Sequence, residues 1–338
     1  MGDKLQVSNS RINTFRRCQR AHYYKYVMKL RPKKKGSALV RGSVLHECIE
    51  AYNTGRSWKR IYEKFKKQWD ETYFEEEKVE LGDIPKMVYT LMENYVACYG
   101  EDEGLDYIEN ELEFNLDLTP DINIIGYIDA VIEEDEKYIW CGETKTHAQI
   151  PGYDVRIFNM QSALYCWALN EMGFDNIRGV LWNYIKAKQP TEPMLLKSGK
   201  LSTKKLDSTP LVVEKAIKAY GLDIRNYQGL INAQSYENYF KRYKVPVSKD
   251  IVKSVLEDTI ETSKIILHHP DLKARNLNKD CSWCNYKILC QADILNQDTD
   301  FLIRTEFEVS DEGRNENGKG KKEKGCKIKK RKKDRNRK

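Results

Sequence analysis

GYIDAVIEEDEKYIWCGETKT, residues 126–146, reads as two strands joined by a tight acidic turn at Glu134–Glu136. Asp129 lies in the first strand, and Glu143 and Lys145 close the second. In a strand, residues i and i+2 project to the same side, so Glu143 and Lys145 project together. A hairpin brings Asp129 alongside them. Two converging carboxylates repel unless a cation sits between them, and Mg²⁺ suits one or two carboxylates plus phosphate oxygens. Lys145 is then placed to orient or deprotonate a water, or to offset charge on a transition state. Together, a metal, a lysine and a phosphate spell phosphodiester hydrolysis. The bland alternative is an exposed Glu–Lys pair worth roughly a few tenths of a kcal/mol. Against it, Glu143 and Lys145 end the apolar run Tyr138–Ile139–Trp140–Cys141 instead of lying in a charged strand.

Working outward, residues 107–118, 122–132 and 137–146 read as three strands. A helix follows from Arg156 to Gly173, then a fourth strand over residues 176–187. That order predicts an α/β fold with a mixed central sheet flanked by helices. Upstream, the run from Ser8 predicts one helix, capped by Ser8 or Ser10. Its Ile12, Phe15, Cys18, His22 and Tyr26 recur at three- and four-residue spacing on one face. A basic link precedes a helix from Ser43, and residues 57–99 continue with helical patterning. Residues 188–247 carry Pro190, Pro193, Pro210 and Pro246, and read as an insertion with short helical pieces. A helix over 248–268 and a cysteine-bearing segment over 270–295 complete a domain expected to span residues 1–310.

The chain has 338 residues, 40% hydrophobic and 32% charged, enough apolar material for a core under a polar exterior. No apolar run reaches the roughly 20 residues needed to cross a bilayer, and the N-terminus does not read as a secretory signal. The expectation is a cytoplasmic protein without a membrane partner, working at the nucleoid, or in the nucleus of a host that has one. The net charge of +7 is unevenly placed. Residues 319–338 hold 13 Lys/Arg and 2 Asp/Glu. Residues 311–338 are therefore expected to be a disordered basic tail, solubilising or weakly DNA-tethering. Gly199-Lys200 invites a phosphate-loop reading, but Met194 and Leu201 stand where that loop needs Gly and Ser or Thr.

The motif order resembles the PD-(D/E)xK nuclease superfamily, and within it the RecB-like exonuclease branch. Gly42, Leu45 and His46 match a helix motif ahead of the core. Asp129 matches the strand-borne Asp, Glu143 and Lys145 the acidic–x–Lys pair, and Gln161 and Tyr165 the Gln-x-x-x-Tyr helix motif. Ile128 replaces the Pro of the superfamily's name. The resemblance implies a restriction-endonuclease-like core in which His46, Asp129, Glu143 and the Thr144 carbonyl hold Mg²⁺ or Mn²⁺. It implies that Lys145 is catalytic, and that Gln161 and Tyr165 contact DNA or organise the site. Glu111 and Glu113 are equally visible candidates for an additional acidic residue.

Nine cysteines without a secretion signal argue against a disulfide framework. Cys281, Cys284 and Cys290 form a C-x₂-C-x₅-C array, and Cys18 is the obvious fourth ligand. The spacing suits structural zinc or an iron–sulfur cluster equally. The resemblance, to the cluster-bearing AddB-type and CRISPR-associated members and their phage-encoded relatives, implies [4Fe-4S], stapling the N- and C-terminal helical segments. Gln19 stands where many relatives place Pro. The whole pattern implies a metal-dependent DNA exonuclease acting on single-stranded or processed ends in recombination, repair or phage DNA metabolism, with recombination or repair proteins as partners. Its alternatives are a non-catalytic scaffold of a recombination or CRISPR-adaptation complex and a structure-selective endonuclease.

Overall fold

The computed structural model describes residues 4–34, 36–100, 105–202 and 204–310. The expected basic tail, with Cys326, lies outside the described residues. The chain opens with β1 (Leu5–Val7) and α1 (Asn9–Arg17), which Ser8 caps by accepting from the Arg11 N–H. The single helix expected from Ser8 is broken. Cys18 is extended (φ −165°, ψ 115°) between α1 and the short α2 (Gln19–His22). A π-helical turn, Tyr23–Val27, and β2 (Leu30–Pro32) follow. The break is set from outside the segment, because the Arg20 N–H donates to the Ala274 carbonyl at 3.0 Å.

Helices α3 (Ser37–Asn53), α4 (Trp58–Thr72), α5 (Glu75–Leu81) and α6 (Ile84–Tyr99) come next. Then the chain lays down β3 (Leu105–Thr119), β4 (Ile122–Glu134) and β5 (Tyr138–His147). The β4–β5 turn has φ 52° at Asp135 and 53° at Glu136, closed by Lys137 N–H to the Glu134 carbonyl at 3.1 Å. Positive φ at both central residues gives this tight turn a twist that matches the flanking strands. The helix expected from Arg156 is also divided. A short α7 (Tyr153–Ile157) precedes α8 (Met160–Glu171), and Asn159 caps α8 by accepting from the Gln161 N–H. After β6 (Ile177–Lys186) come α9 (Pro210–Ala219), α10 (Gln228–Asn232) and β7 (Phe240–Pro246). The segment read as an insertion thus supplies a strand of the main sheet. The described chain ends with α11 (Lys249–His268), α12 (Lys287–Ile294), α13 (Thr299–Glu306) and β8 (Phe307–Val309).

The sheet is mixed. Strand β4 pairs antiparallel with β3 along one side. Its other side is shared: Ile122–Ile124 pair parallel with β1, and Ala130–Glu134 pair antiparallel with β5. Strand β6 runs parallel to β5, and β7 runs antiparallel to β6 at the edge. One apolar core packs Ile12, Leu164, Cys166 and Leu169 against Val131, Cys141 and Trp182. A second core joins α3, α4 and α6 to Ile185 and Phe240 on the opposite face of the sheet. Burying apolar side chains on both faces makes β5 and β6 near-continuous apolar runs, so the polar residues in them stand out. Among the described residues no helix is long and apolar enough to cross a membrane.

Candidate active site

The site lies where β4 and β5 part. Their ladder runs from Glu134↔Tyr138 to Ala130↔Gly142 and stops there, and β1 takes that side of β4 farther on, at Ile122–Ile124. Asp129 and Glu143 are the first residues past that fork. Released from the ladder, the Thr144 N–H donates to Asp129 Oδ2 at 2.9 Å. His46, on α3, brings Nδ1 to 3.4 Å from the same oxygen. Gly42 lies where α3 meets this end of β5, and a Cβ there would make ordinary van der Waals contact with Thr146 Oγ1 at 3.4 Å. Lys145 donates to Glu143 Oε1, and Gln161 Nε2 donates to that oxygen at 3.0 Å and to the Tyr165 hydroxyl at 2.8 Å. Gln161 and Tyr165 face the sheet together because they are four apart on α8.

Glu143 is 3% exposed, and its Oε2 is buried with no hydrogen-bond partner. Burial first, then repulsion from Asp129, pushes its pKa up to about 7, with Lys145 pulling the other way. Burial works against the Lys145 ammonium, but Glu143 outweighs it and the net shift is upward. A lone buried carboxylate oxygen beside a second carboxylate wants a cation. The donor set is the oxygen-rich one that hard divalent ions take. These residues therefore fit Mg²⁺ or Mn²⁺. Among the described residues, no three His, Cys, Asp or Glu side chains already stand close enough together to hold an ion.

Two residues join the site that the sequence left open or passed over. Glu111, with φ 50°, lies between the ladder pairs Asn110↔Ala130 and Leu112↔Ile128, level with Asp129. It lines a small cavity of 20 Å³ with His46, Asp129 and Glu143. That is room for about one water. Glu113 instead accepts from the Tyr127 hydroxyl at 2.8 Å. Asn183 lines the same cavity and donates to Thr144 Oγ1 at 3.2 Å and the Tyr95 hydroxyl at 3.0 Å. A lone Asn within the apolar run Val180–Ile185 was the available signal.

A family model for the PD-(D/E)XK nuclease superfamily matches residues 6–291. The chain belongs to that superfamily. No curated protein matches it. PD-(D/E)XK membership points to a metal-dependent nuclease, and the mixed sheet between helices fits a restriction-endonuclease-like core.

Three of the four spaced cysteines share one small core, and Cys281 is not part of it. Cys18, Cys284 and Cys290 pack in one small core with Ala21, Tyr24, Leu30, Tyr286 and Phe307. Burial raises the Cys284 thiol, with Cys18 and Cys281 near enough to add to the effect and Arg17 to oppose it. All four are free thiols. Among the described residues, protein contacts join the N- and C-terminal segments. Strand β2 pairs with β8, the Tyr286 hydroxyl donates to the Leu30 carbonyl at 2.8 Å, and Asn276 Nδ2 donates to the Arg17 carbonyl at 3.0 Å. Cys141 and Cys166 are core residues, with sulfurs 3.9 Å apart.

Proposed function

We propose that the chain is a deoxyribonuclease, exonucleolytic on single-stranded or processed ends, serving recombination, repair or phage DNA metabolism. The observation that carries this reading is the unpartnered, buried Oε2 of Glu143 beside Asp129, Lys145 and His46. His46, Asp129, Glu143 and the Thr144 carbonyl would hold Mg²⁺ or Mn²⁺. A bound ion would supply Lewis acidity toward a phosphoryl oxygen. Lys145 keeps its proton and offers an ammonium to charge that develops on the phosphate. Gln161 holds Glu143 through Oε1 and leaves Oε2 turned elsewhere. Tyr165, 7% exposed, anchors Gln161, which favours an organising role for this pair over direct contact with DNA. The same reading extends to Cys18, Cys281, Cys284 and Cys290 as ligands of a [4Fe-4S] cluster, with zinc the alternative. Arg17 near Cys284 and Arg275 near Cys290 place positive charge at the sulfurs, against the burial that raises the Cys284 thiol.

The test is a digestion time course with anaerobically purified protein, end-labelled single-stranded and duplex DNA, and Mg²⁺ or Mn²⁺. Metal-dependent cleavage that disappears in Lys145→Ala is the expected result, and the product ladder separates exonucleolytic from endonucleolytic cutting. A folded protein that cuts no substrate would overturn the reading. For the cysteines, visible-region absorbance lost in Cys284→Ala is expected, and an unchanged spectrum would remove the cluster.

A further inference from the structure

The carboxylates open into a groove of 1260 Å³. Glu111 on β3, Asp129 on β4 and Glu143 on β5 line it. So do Arg11 on α1, Lys25 on the π-helical turn and Arg31 on β2. This second group forms an arginine-bearing wall on which the Tyr26 ring collects the cations. The Arg11 guanidinium lies 5.4 Å from its centroid, the Lys25 ammonium 4.9 Å and the Arg31 guanidinium 5.9 Å.

Arg11 is held with unusual care. Its Nη1 donates to the Gln6 carbonyl at 2.7 Å and its Nε to His22 Nε2 at 3.3 Å. His22 is 1% exposed, clamped edge-on by Phe15 and against Tyr26, each with ring centroids 5.1 Å away. Every one of these tethers is neutral. A carboxylate at position 22 would fix the guanidinium equally well, but it would cancel the charge. A buried neutral imidazole fixes it and leaves the charge intact. Arg31 is treated alike, its Nη1 donating to the Lys25 carbonyl at 3.2 Å. Lys4, by contrast, is paired with Asp117 at 2.7 Å. Among the described residues neither guanidinium forms an ion pair, although Glu308 lies across the ladder from Arg31. A partly desolvated cation without an anion is costly, and an incoming anion relieves that cost.

We propose that Arg11 and Arg31, gathered on Tyr26, form a subsite for a backbone phosphate of the bound strand, distinct from the phosphate being cut. His22 is the positioning residue for Arg11. This rests on the nuclease reading of the neighbouring carboxylates. The ligand is a phosphodiester because the groove joins this wall directly to a phosphodiester-cleaving centre, and a strand carries one negative charge per nucleotide along it. Planar guanidinium forks match phosphate oxygens in pairs, which an ammonium does not.

The experiment measures binding of a fluorescein-labelled single-stranded oligonucleotide to the Lys145→Ala protein without divalent cations, across a salt series. Arg11→Met and Arg31→Met should each weaken binding about tenfold at low salt. Each should also flatten the log–log salt dependence by about 0.7. His22→Leu should copy Arg11→Met, whereas His22→Gln, whose amide oxygen still accepts from Arg11, should bind nearly as the parent does. With Lys145 restored, the arginine variants should raise KM far more than they lower kcat, a split that a general loss of structure would not give. Arg31→Met, on the short β2 strand away from the main sheet, keeps the test valid if Arg11→Met misfolds. If the parent binds and the Lys145 form cleaves, but the arginine variants keep the parent affinity and salt slope, the subsite is wrong and the nuclease reading stands. If the full chain neither binds nor cleaves a strand, both fall.

Discussion

At the scale of single residues, the site shows where backbone and chemistry disagree. Glu111 occupies the left-handed region, where a side chain costs roughly 1 kcal/mol or more and glycine costs nothing sterically. Holding a carboxylate there makes sense if it serves the cavity that it shares with Asp129 and Glu143. Glu111→Gly removes the acid and suits the backbone, so its melting temperature should stay within a few degrees of the parent while metal-dependent cleavage falls at least about tenfold. Full activity in a folded Glu111→Gly protein would show that the acid is not needed. His22 gives a second residue-scale prediction. Burial first, then the charge of Arg11, lowers its pKa from 6.5 to about 4. Between those values the unfolded chain binds the proton and the folded chain does not, so stability rises with pH across that window. As pH falls from 6.5 towards 4, the protein should lose up to about 3 kcal/mol through this group. His22→Gln has nothing to titrate, and its urea midpoint should change less between pH 7 and pH 4.5. Equal changes in the two proteins would mean that His22 is not the responsible group.

At the scale of elements, the deciding feature is a strand that must serve two neighbours. Strand β6 receives β5 on one side and β7 on the other, and the β5–β6 register shifts beside Gly179. Gly179 has φ 154°, and a Cβ on it would lie 2.1 Å from the Val245 carbonyl oxygen. Gly179→Ala should therefore destabilise the protein by about 2–4 kcal/mol. In Gly229→Ala the new methyl meets nothing within 4 Å, and the urea midpoint should barely move. Matching midpoints in the two variants would refute the close approach. The same elements show what the sequence could and could not reveal. The β4–β5 hairpin and the acidic–x–Lys pair were legible because alternation and turn chemistry are local. Gln161 and Tyr165 were legible because four-residue spacing on a helix fixes a shared face. The break at Cys18 was not, since Ile12, Phe15, Cys18 and His22 keep helical spacing straight through it and the Arg20–Ala274 contact comes from 254 residues away. Strand β7 was hidden in a proline-bearing stretch, and Pro246 is tolerated at its end because β7 is an edge strand. Arg11 looked like any exposed helical arginine, because its meaning lies in what tethers it.

At the scale of the whole molecule, the N-terminal arm reaches across to the C-terminal segment and back to the groove. Strand β2 is held by β8, and the last described residue, Ser310, donates its N–H to the Lys29 carbonyl at 2.8 Å while lining the groove. The chain therefore leaves its described part beside the proposed strand-binding wall. Soon afterwards come residues 319–338, with 13 Lys/Arg against 2 Asp/Glu, while the rest of the chain is mildly acidic. Charge of this density attracts phosphates without reading sequence, and it acts over a screening length of about 10 Å at 0.1 M salt and about 3 Å at 1 M. Deleting 319–338 should thus weaken single-strand binding strongly at low salt and hardly at all near 1 M. The log–log salt slope should fall by several units, against the 0.7 expected for one arginine of the wall. Turnover at saturating DNA should stay close to that of the full chain, because Asp129, Glu143 and Lys145 are untouched. The two proposed contributions are separable in one titration series: the tail would set how often a strand is captured, and the arginine wall how it lies once captured. Unchanged low-salt affinity after the deletion would make the tail a bystander and leave capture to the groove alone.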